Sequence, residues 1–287
     1  MPASFRAIVR TESGVVLVDR AREPLPPSCV RIRIKRTGLC RTDCRAAQGR
    51  IPTRANLTLG HEASGIVVEV AAASDLLREG DHVTIWPHVQ HGKASLQLGV
   101  ELDGTFAEEV VVPERNAFRV PSTMPFERAA YFEPLVAALG AYVEALSKED
   151  SVHVHGEGRI AELTRRALRV SGTRVVAADE GPAWCVLPSP SEEAVRSLMQ
   201  QAPDARFVLK LPSRGSDFDR ATYERTGARF VTATYGSQAR ALELLQEEAF
   251  KVEDLFEEPL PLRALLEHLM SQDDETKKAF FNPELAH

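Results

Sequence analysis

Cysteine is scarce: Cys29, Cys40, Cys44 and Cys185 are the four thiols among 287 residues. Four so scattered exclude a disulfide framework and suit a reducing compartment, where a thiolate stays free for a metal. A cationic surplus is also absent. The net charge of -6 gives no electrostatic attraction to nucleic acid or to an anionic membrane surface, and both classes of partner are set aside. No apolar run approaches the roughly 18 residues of a membrane-crossing helix. Met1-Pro2-Ala3-Ser4-Phe5-Arg6 lacks the long apolar core of a secretory signal, so a cytoplasmic protein is expected. Internal repeats and low-complexity tracts are missing too.

What is present is ordinary globular material, 44% hydrophobic and 26% charged residues, in a length that fits one large or about two ordinary domains. Up to about residue 120 the chain alternates apolar and polar positions in short runs broken by Gly, Pro and Asp, an all-β pattern. Strands are expected at 5–10, 15–18, 30–35, 63–70, 82–85 and 106–112, and a helix at 126–146, where apolar residues take helical spacing. The pattern then switches to strand, glycine turn, helix, strand. Residues 151–155 lead into Gly156-Glu157-Gly158-Arg159-Ile160-Ala161, a helix to about Ser171 and a strand at 174–179, the opening of a dinucleotide-binding sheet. Further strands are expected at 184–187, 206–211 and 229–234, with helices at 191–201, 239–248 and 263–270.

The chemistry centres on Thr37-Gly38-Leu39-Cys40-Arg41-Thr42-Asp43, answered by Leu59-Gly60-His61-Glu62 and later by Phe132-Glu133-Pro134-Leu135. A thiolate, an imidazole and one or two carboxylates are the donors zinc uses when one position is left open for chemistry. Zinc would take Cys40 as thiolate and His61 as neutral imidazole. Within the glycine turn, Gly156 and Gly158 let the backbone approach a pyrophosphate, Arg159 opens the helix whose free N–H groups face it, and Ala161 serves helix packing. Asp179 follows at the spacing of a carboxylate that bonds a ribose 2′-hydroxyl, which favours NAD(H) over NADP(H).

On these motifs the chain resembles the zinc-dependent medium-chain dehydrogenases, the superfamily of alcohol, sorbitol and threonine dehydrogenases. Gly38-Leu39-Cys40-Arg41-Thr42-Asp43 and Gly60-His61-Glu62-Ala63-Ser64-Gly65-Ile66-Val67 resemble its first and second zinc-ligand motifs. Gly80-Asp81-His82-Val83, Asp103-Gly104-Thr105-Phe106-Ala107-Glu108 and Glu133-Pro134-Leu135 follow in the family's order. The resemblance implies an α/β protein: a GroES-like β-barrel catalytic domain at 1–138 with 234–287, and a truncated Rossmann-like parallel sheet of about five strands at 139–233. It further implies that Cys40 and His61 bind zinc, that Glu133 is a third ligand or holds the zinc water, and that Glu62 is an alternate ligand or supports the ligands from behind. By the same resemblance Thr42 relays the alcohol proton, and Asp43 orients the histidine. A capping role at a helix start is the other reading of Glu133.

Departures from the family also show. The lobe that in many relatives binds a second, structural zinc is replaced by Trp86-Pro87-His88-Val89-Gln90-His91-Gly92-Lys93, which has no cysteine, so one Zn²⁺ per chain is expected and His88 and His91 read as part of a solvated loop. Arg45 stands where the proton relay often ends in histidine. Arginine keeps its proton, so the relay is altered, or Arg45 meets a substrate carboxylate or phosphate, or it is an exposed arginine without a role. Only Glu180-Gly181-Pro182-Ala183 separates Asp179 from the next strand, where a parallel crossover needs roughly a dozen residues. Either 184–187 turns back as a hairpin partner, or the link carries the chain across the sheet; the second is preferred. Two functions follow: a zinc- and nicotinamide-dependent oxidoreductase of a small alcohol or its carbonyl form, or a protein that kept the zinc pocket but lost the cofactor, acting as a lyase-like enzyme or a pathway partner. The expected partner is a small-molecule substrate, with a homodimer left open.

Overall fold

The computed structural model describes residues 4–71, 76–141, 150–211, 219–270 and 278–285. It divides into two compact units, one of Met1–Glu133 with Lys251–His287 and one of Pro134–Phe250. The second is wider than the expected 139–233. It keeps the helix Gln238–Gln246, which buries Ala241, Leu244 and Leu245, and the N–H of Gly236 donates to Val136 O at 2.8 Å.

The first unit is mostly antiparallel sheet. Ser4–Thr11 pairs with Gly14–Ala21 on one side and Leu57–Thr58 on the other. A larger sheet is built on Cys29–Gly38, which pairs with Glu62–Val70 along one edge. Its other edge takes Glu109–Pro113 and then Phe280–Asn282, a strand from the far end of the chain. Val30, Ile32, Ile34, Ala63, Val67, Val83 and Ile85 form its core face, the alternation legible in the sequence. A second cluster joins Leu39, Cys44, Ala46, Ile51 and Phe106 to Leu262, Leu265, Leu269 and Phe281, so the C-terminal segment completes this unit. The expected helix at 263–270 is shorter, a 3₁₀ turn Leu262–Ala264 followed by Leu265–His268. The stretch expected as a solvated loop is a β-hairpin, His88–His91 with Ala94–Gln97.

In the second unit five parallel strands lie in the order Arg174–Val175, Ser151–Val154, Trp184–Leu187, Arg206–Lys210, Phe230–Ala233. Residues 184–187 show why the sheet is covered on both faces. Trp184 and Val186 pack with Val152, Val208 and Leu168, while Cys185 and Leu187 pack with Phe207, Val195 and Leu198. The hairpin alternative is thereby excluded, since 184–187 runs parallel to 151–154 on the side away from 174–175. The short link suffices because the edge strand has two residues and not six, so little distance must be recovered. Its middle is a 3₁₀ turn, Ala178–Glu180, whose Ala178 packs against the cluster that holds Cys185, Leu187, Val195 and Phe207 in place of a crossover helix. Asp179 therefore sits exposed in a turn and not on a strand.

The helical region expected at 126–146 is two short helices, Phe126–Ala130 and Phe132–Leu139; positions 142–146 lie outside the described residues. Among the described residues no helix is long and apolar enough to cross a membrane.

Candidate functional site

The motif after Cys29–Gly38 turns directly into a helix the sequence reading missed, Arg41–Ala47, with Cys40 as its N-cap. The Cys40 N–H donates to Asp43 Oδ2 at 3.0 Å, closing the first turn from within. The other oxygen, Oδ1, accepts a hydrogen bond from His61 Nδ1–H at 2.8 Å, and both side chains are buried. One carboxylate thus fixes the cysteine's backbone and the histidine's ring together. With Nδ1 committed to Asp43, Nε2 is the nitrogen left to bind a metal.

His61 is delivered by a clamp. Asp103 Oδ1 accepts from Thr58 N at 2.8 Å, Phe106 N donates to Leu59 O at 2.8 Å and Thr105 N to Gly60 O at 3.0 Å. Thr105 Oγ1 lies 2.9 Å from Thr37 Oγ1, which donates to Glu62 O at 3.1 Å. The Asp-Gly-Thr-Phe motif is therefore a brace for the strand end that carries His61 and Glu62.

Cys40, His61 and Glu62 come together: their donor atoms lie within 4.8 Å of one another. Tetrahedral zinc wants its ligands about 3.5 Å apart, within reach of small side-chain rotations. Burial pulls the His61 imidazole down, but the Asp43 carboxylate and the Cys40 side chain outweigh it and hold the group well above its ordinary value. Burial pushes the Glu62 carboxyl up to about 7, opposed by Lys278 and reinforced by Glu133.

Lys278 is the residue sequence reasoning missed. Its Nζ lies 2.5 Å from Glu62 Oε2, with both side chains sealed from solvent, and donates to Leu39 O at 2.8 Å. The Phe280–Asn282 strand brings it in, since Phe280 pairs with Gly38. Gly38 makes the room: a Cβ there would stand 2.7 Å from Glu62 Oε2 and 3.1 Å from Lys278 Cε. The one visible signal was a lysine leading directly into the apolar run Ala279-Phe280-Phe281.

Glu133 is buried at the start of Phe132–Leu139, which Phe132 seats against the rings of Phe118 at 5.2 Å and Trp86 at 6.1 Å. It stands outside the three-donor group, near enough for its charge to act on Glu62. Thr42 and Arg45 are half-buried on the Arg41–Ala47 helix. His88 and His91 join no group of donors among the described residues.

In the second unit Gly156 adopts φ +99°, a conformation open to glycine. A Cβ on Gly158 would meet nothing within 4 Å. Arg159, buried, begins the helix Arg159–Val170, and Ala161 packs beneath Gly156. Among the described residues the N–H groups of Glu157 and Gly158 have no protein acceptor. This open, donor-lined turn fits a phosphate-bearing cofactor.

The alcohol dehydrogenase GroES-like domain model matches residues 26–122. L-threonine 3-dehydrogenase of Thermococcus kodakarensis is 30% identical over 201 residues, 63% of this chain and 57% of that protein. The chain thus spans little more than half the length of the curated relatives it matches. Among solved structures, acetophenone reductase from Geotrichum candidum in complex with NAD has a TM-score of 0.82 at 16% identity, covering 98% of each chain. Cobalt- and zinc-bound alcohol dehydrogenase from Pyrobaculum aerophilum has a TM-score of 0.76 at 20% identity, covering 98% of this chain and 100% of that one. At such identities the structural likeness speaks for the fold. With the ordered motifs, these matches make the chain similar to the medium-chain dehydrogenases/reductases, most directly over residues 26–122.

Proposed function

We propose that the chain is a zinc-dependent, nicotinamide-linked oxidoreductase of a small alcohol or its carbonyl form, with one zinc per chain. The observation that carries this reading is the grouping of Cys40, His61 and Glu62 donors within 4.8 Å, with His61 oriented by Asp43. Zinc there supplies a Lewis acid toward a substrate oxygen, and the nicotinamide supplies the two-electron carrier. Cys40 as thiolate and His61 through Nε2 hold the metal, Glu62 is the third donor when it leaves Lys278, and Glu133 supports the open position. Thr42 relays the substrate's hydroxyl proton. Arg45 keeps its proton and offers a fixed charge to an anionic substrate group.

The glycine turn at Gly156 and Gly158 takes the cofactor's pyrophosphate, with Arg159 and Ala161 starting the helix behind it. NAD(H) is preferred over NADP(H) because Asp179 would repel a 2′-phosphate. Metal analysis combined with calorimetric titration of NADH and NADPH tests the reading. It expects one zinc and detectable NADH binding that is tighter than NADPH binding. Zinc in place with neither nucleotide bound at millimolar concentration would turn the assignment to the lyase-like or pathway-partner reading.

A further inference from the structure

The helix Arg159–Val170 carries an arginine in its second turn that reaches back to the glycine turn. Arg165 Nη2 donates to Val154 O, the last residue of the first strand of the parallel sheet, at 3.0 Å. The same nitrogen also donates to Gly156 O. Its Nη1 lies 3.5 Å from Glu162 Oε2. One guanidinium therefore ties together the strand end, the turn and the helix.

The consequence follows from peptide geometry. No peptide bond among the described residues is cis, so the Gly156 oxygen and the Glu157 N–H point in opposite directions within one peptide plane. Fixing the oxygen on Arg165 aims the Glu157 N–H the other way. That N–H and the N–H of Gly158 are turn donors without a protein acceptor among the described residues, and Gly158 has open space beside it. A glycine at φ +99° has many other conformations within reach, and its peptide would turn readily without such a hold.

We propose that Arg165 is a positioning residue for the diphosphate of the nucleotide cofactor: it locks the Gly156 peptide so that the turn's free N–H groups face the phosphate oxygens. Its guanidinium also adds a positive field behind the turn. The inference rests on the nicotinamide reading above.

Calorimetric titration of the zinc-loaded chain with NADH and with ADP-ribose tests this, using the natural protein, Arg165→Leu and Arg165→Lys. Arg165→Leu should weaken both ligands about tenfold, equivalent to about 1.4 kcal/mol. Arg165→Lys, which keeps the charge and can still donate to one carbonyl, should recover part of that loss. Melting temperatures without ligand separate a binding effect from a folding one, and if Arg165→Leu does not fold, the lysine variant carries the comparison. Natural protein that binds ADP-ribose, with folded variants that bind it equally well, would overturn the role of Arg165 alone. Natural protein that binds neither ligand would overturn the nicotinamide reading and this inference with it.

Discussion

Replacing Lys278 by methionine isolates what the buried pair with Glu62 contributes. The two side chains are about as sealed as any in the protein, 1% and 2% exposed, with 2.5 Å between Nζ and Oε2. Removing one member of a buried ion pair costs roughly 3–5 kcal/mol, because the other charge is left without compensation. Glu62 has an escape, since its carboxyl sits at about 7 even with Lys278 pulling it down. Without the lysine it would rise further and take a proton at neutral pH, which keeps the loss near the lower end, about 3 kcal/mol. The pH dependence has a definite sign. The folded value lies above the ordinary 4.5, so the contribution of Glu62 to stability is present below 4.5 and is lost as pH rises through the folded value. The variant should therefore suffer least near pH 5 and most near pH 8. Urea unfolding of the metal-free protein at both values measures this, and Lys278→Met with Glu62→Gln should recover much of the loss. A loss below about 1 kcal/mol at the higher pH, or a double variant as unstable as the sum of the singles, would refute the coupling.

Elemental analysis should find one zinc per chain; Cys40→Ser should lose it, and Asp43→Asn should weaken zinc binding roughly 10- to 100-fold by releasing the His61 ring. Gly38→Ala should cost about 1–3 kcal/mol, read by urea unfolding, because its Cβ would meet Glu62 Oε2 at 2.7 Å; an unchanged unfolding midpoint would contradict that fit. Burial pushes the Cys185 thiol up to about 11, so folded protein near pH 8 should leave Cys185 unmodified by iodoacetamide while urea exposes it, as peptide mass mapping would reveal. The folded value lies above the ordinary 9.0, so stability from this group holds below 9 and falls as pH rises through 11.

The parts of this protein legible in its sequence are those written in adjacent residues. Cys40, His61 and their flanking motifs announce the buried group of donor atoms, and the alternation in 30–35 and 63–70 announces sheet. The continuous apolar stretch 184–187 betrays a strand buried on both faces. What escaped was set by contacts distant along the chain. Lys278 carries no local sign of its partner, because charge compensation is a property of the folded site. The helix Arg41–Ala47 was hidden by its unusual cap, a cysteine whose helix start is secured by Asp43. The hairpin His88–His91 with Ala94–Gln97 was hidden because two short strands with polar faces look like loop. The crossover at 176–183 broke a length rule that presumes strands of ordinary length, and the two-residue edge strand removed that presumption.

The strand Phe280–Asn282 that delivers Lys278 also sets a schedule for biosynthesis. Cys40, Asp43, His61 and Glu62 leave the ribosome early, and the whole of Pro134–Phe250 must be made before Lys278 follows. Domains tend to fold as units in order of synthesis, so the second unit can fold while the first still lacks the strands Leu260–Pro261 and Phe280–Asn282 and its buried cation. During that interval Glu62 faces His61 and Cys40 without its lysine, and a metal ion that arrives then meets a carboxylate with no competitor for it.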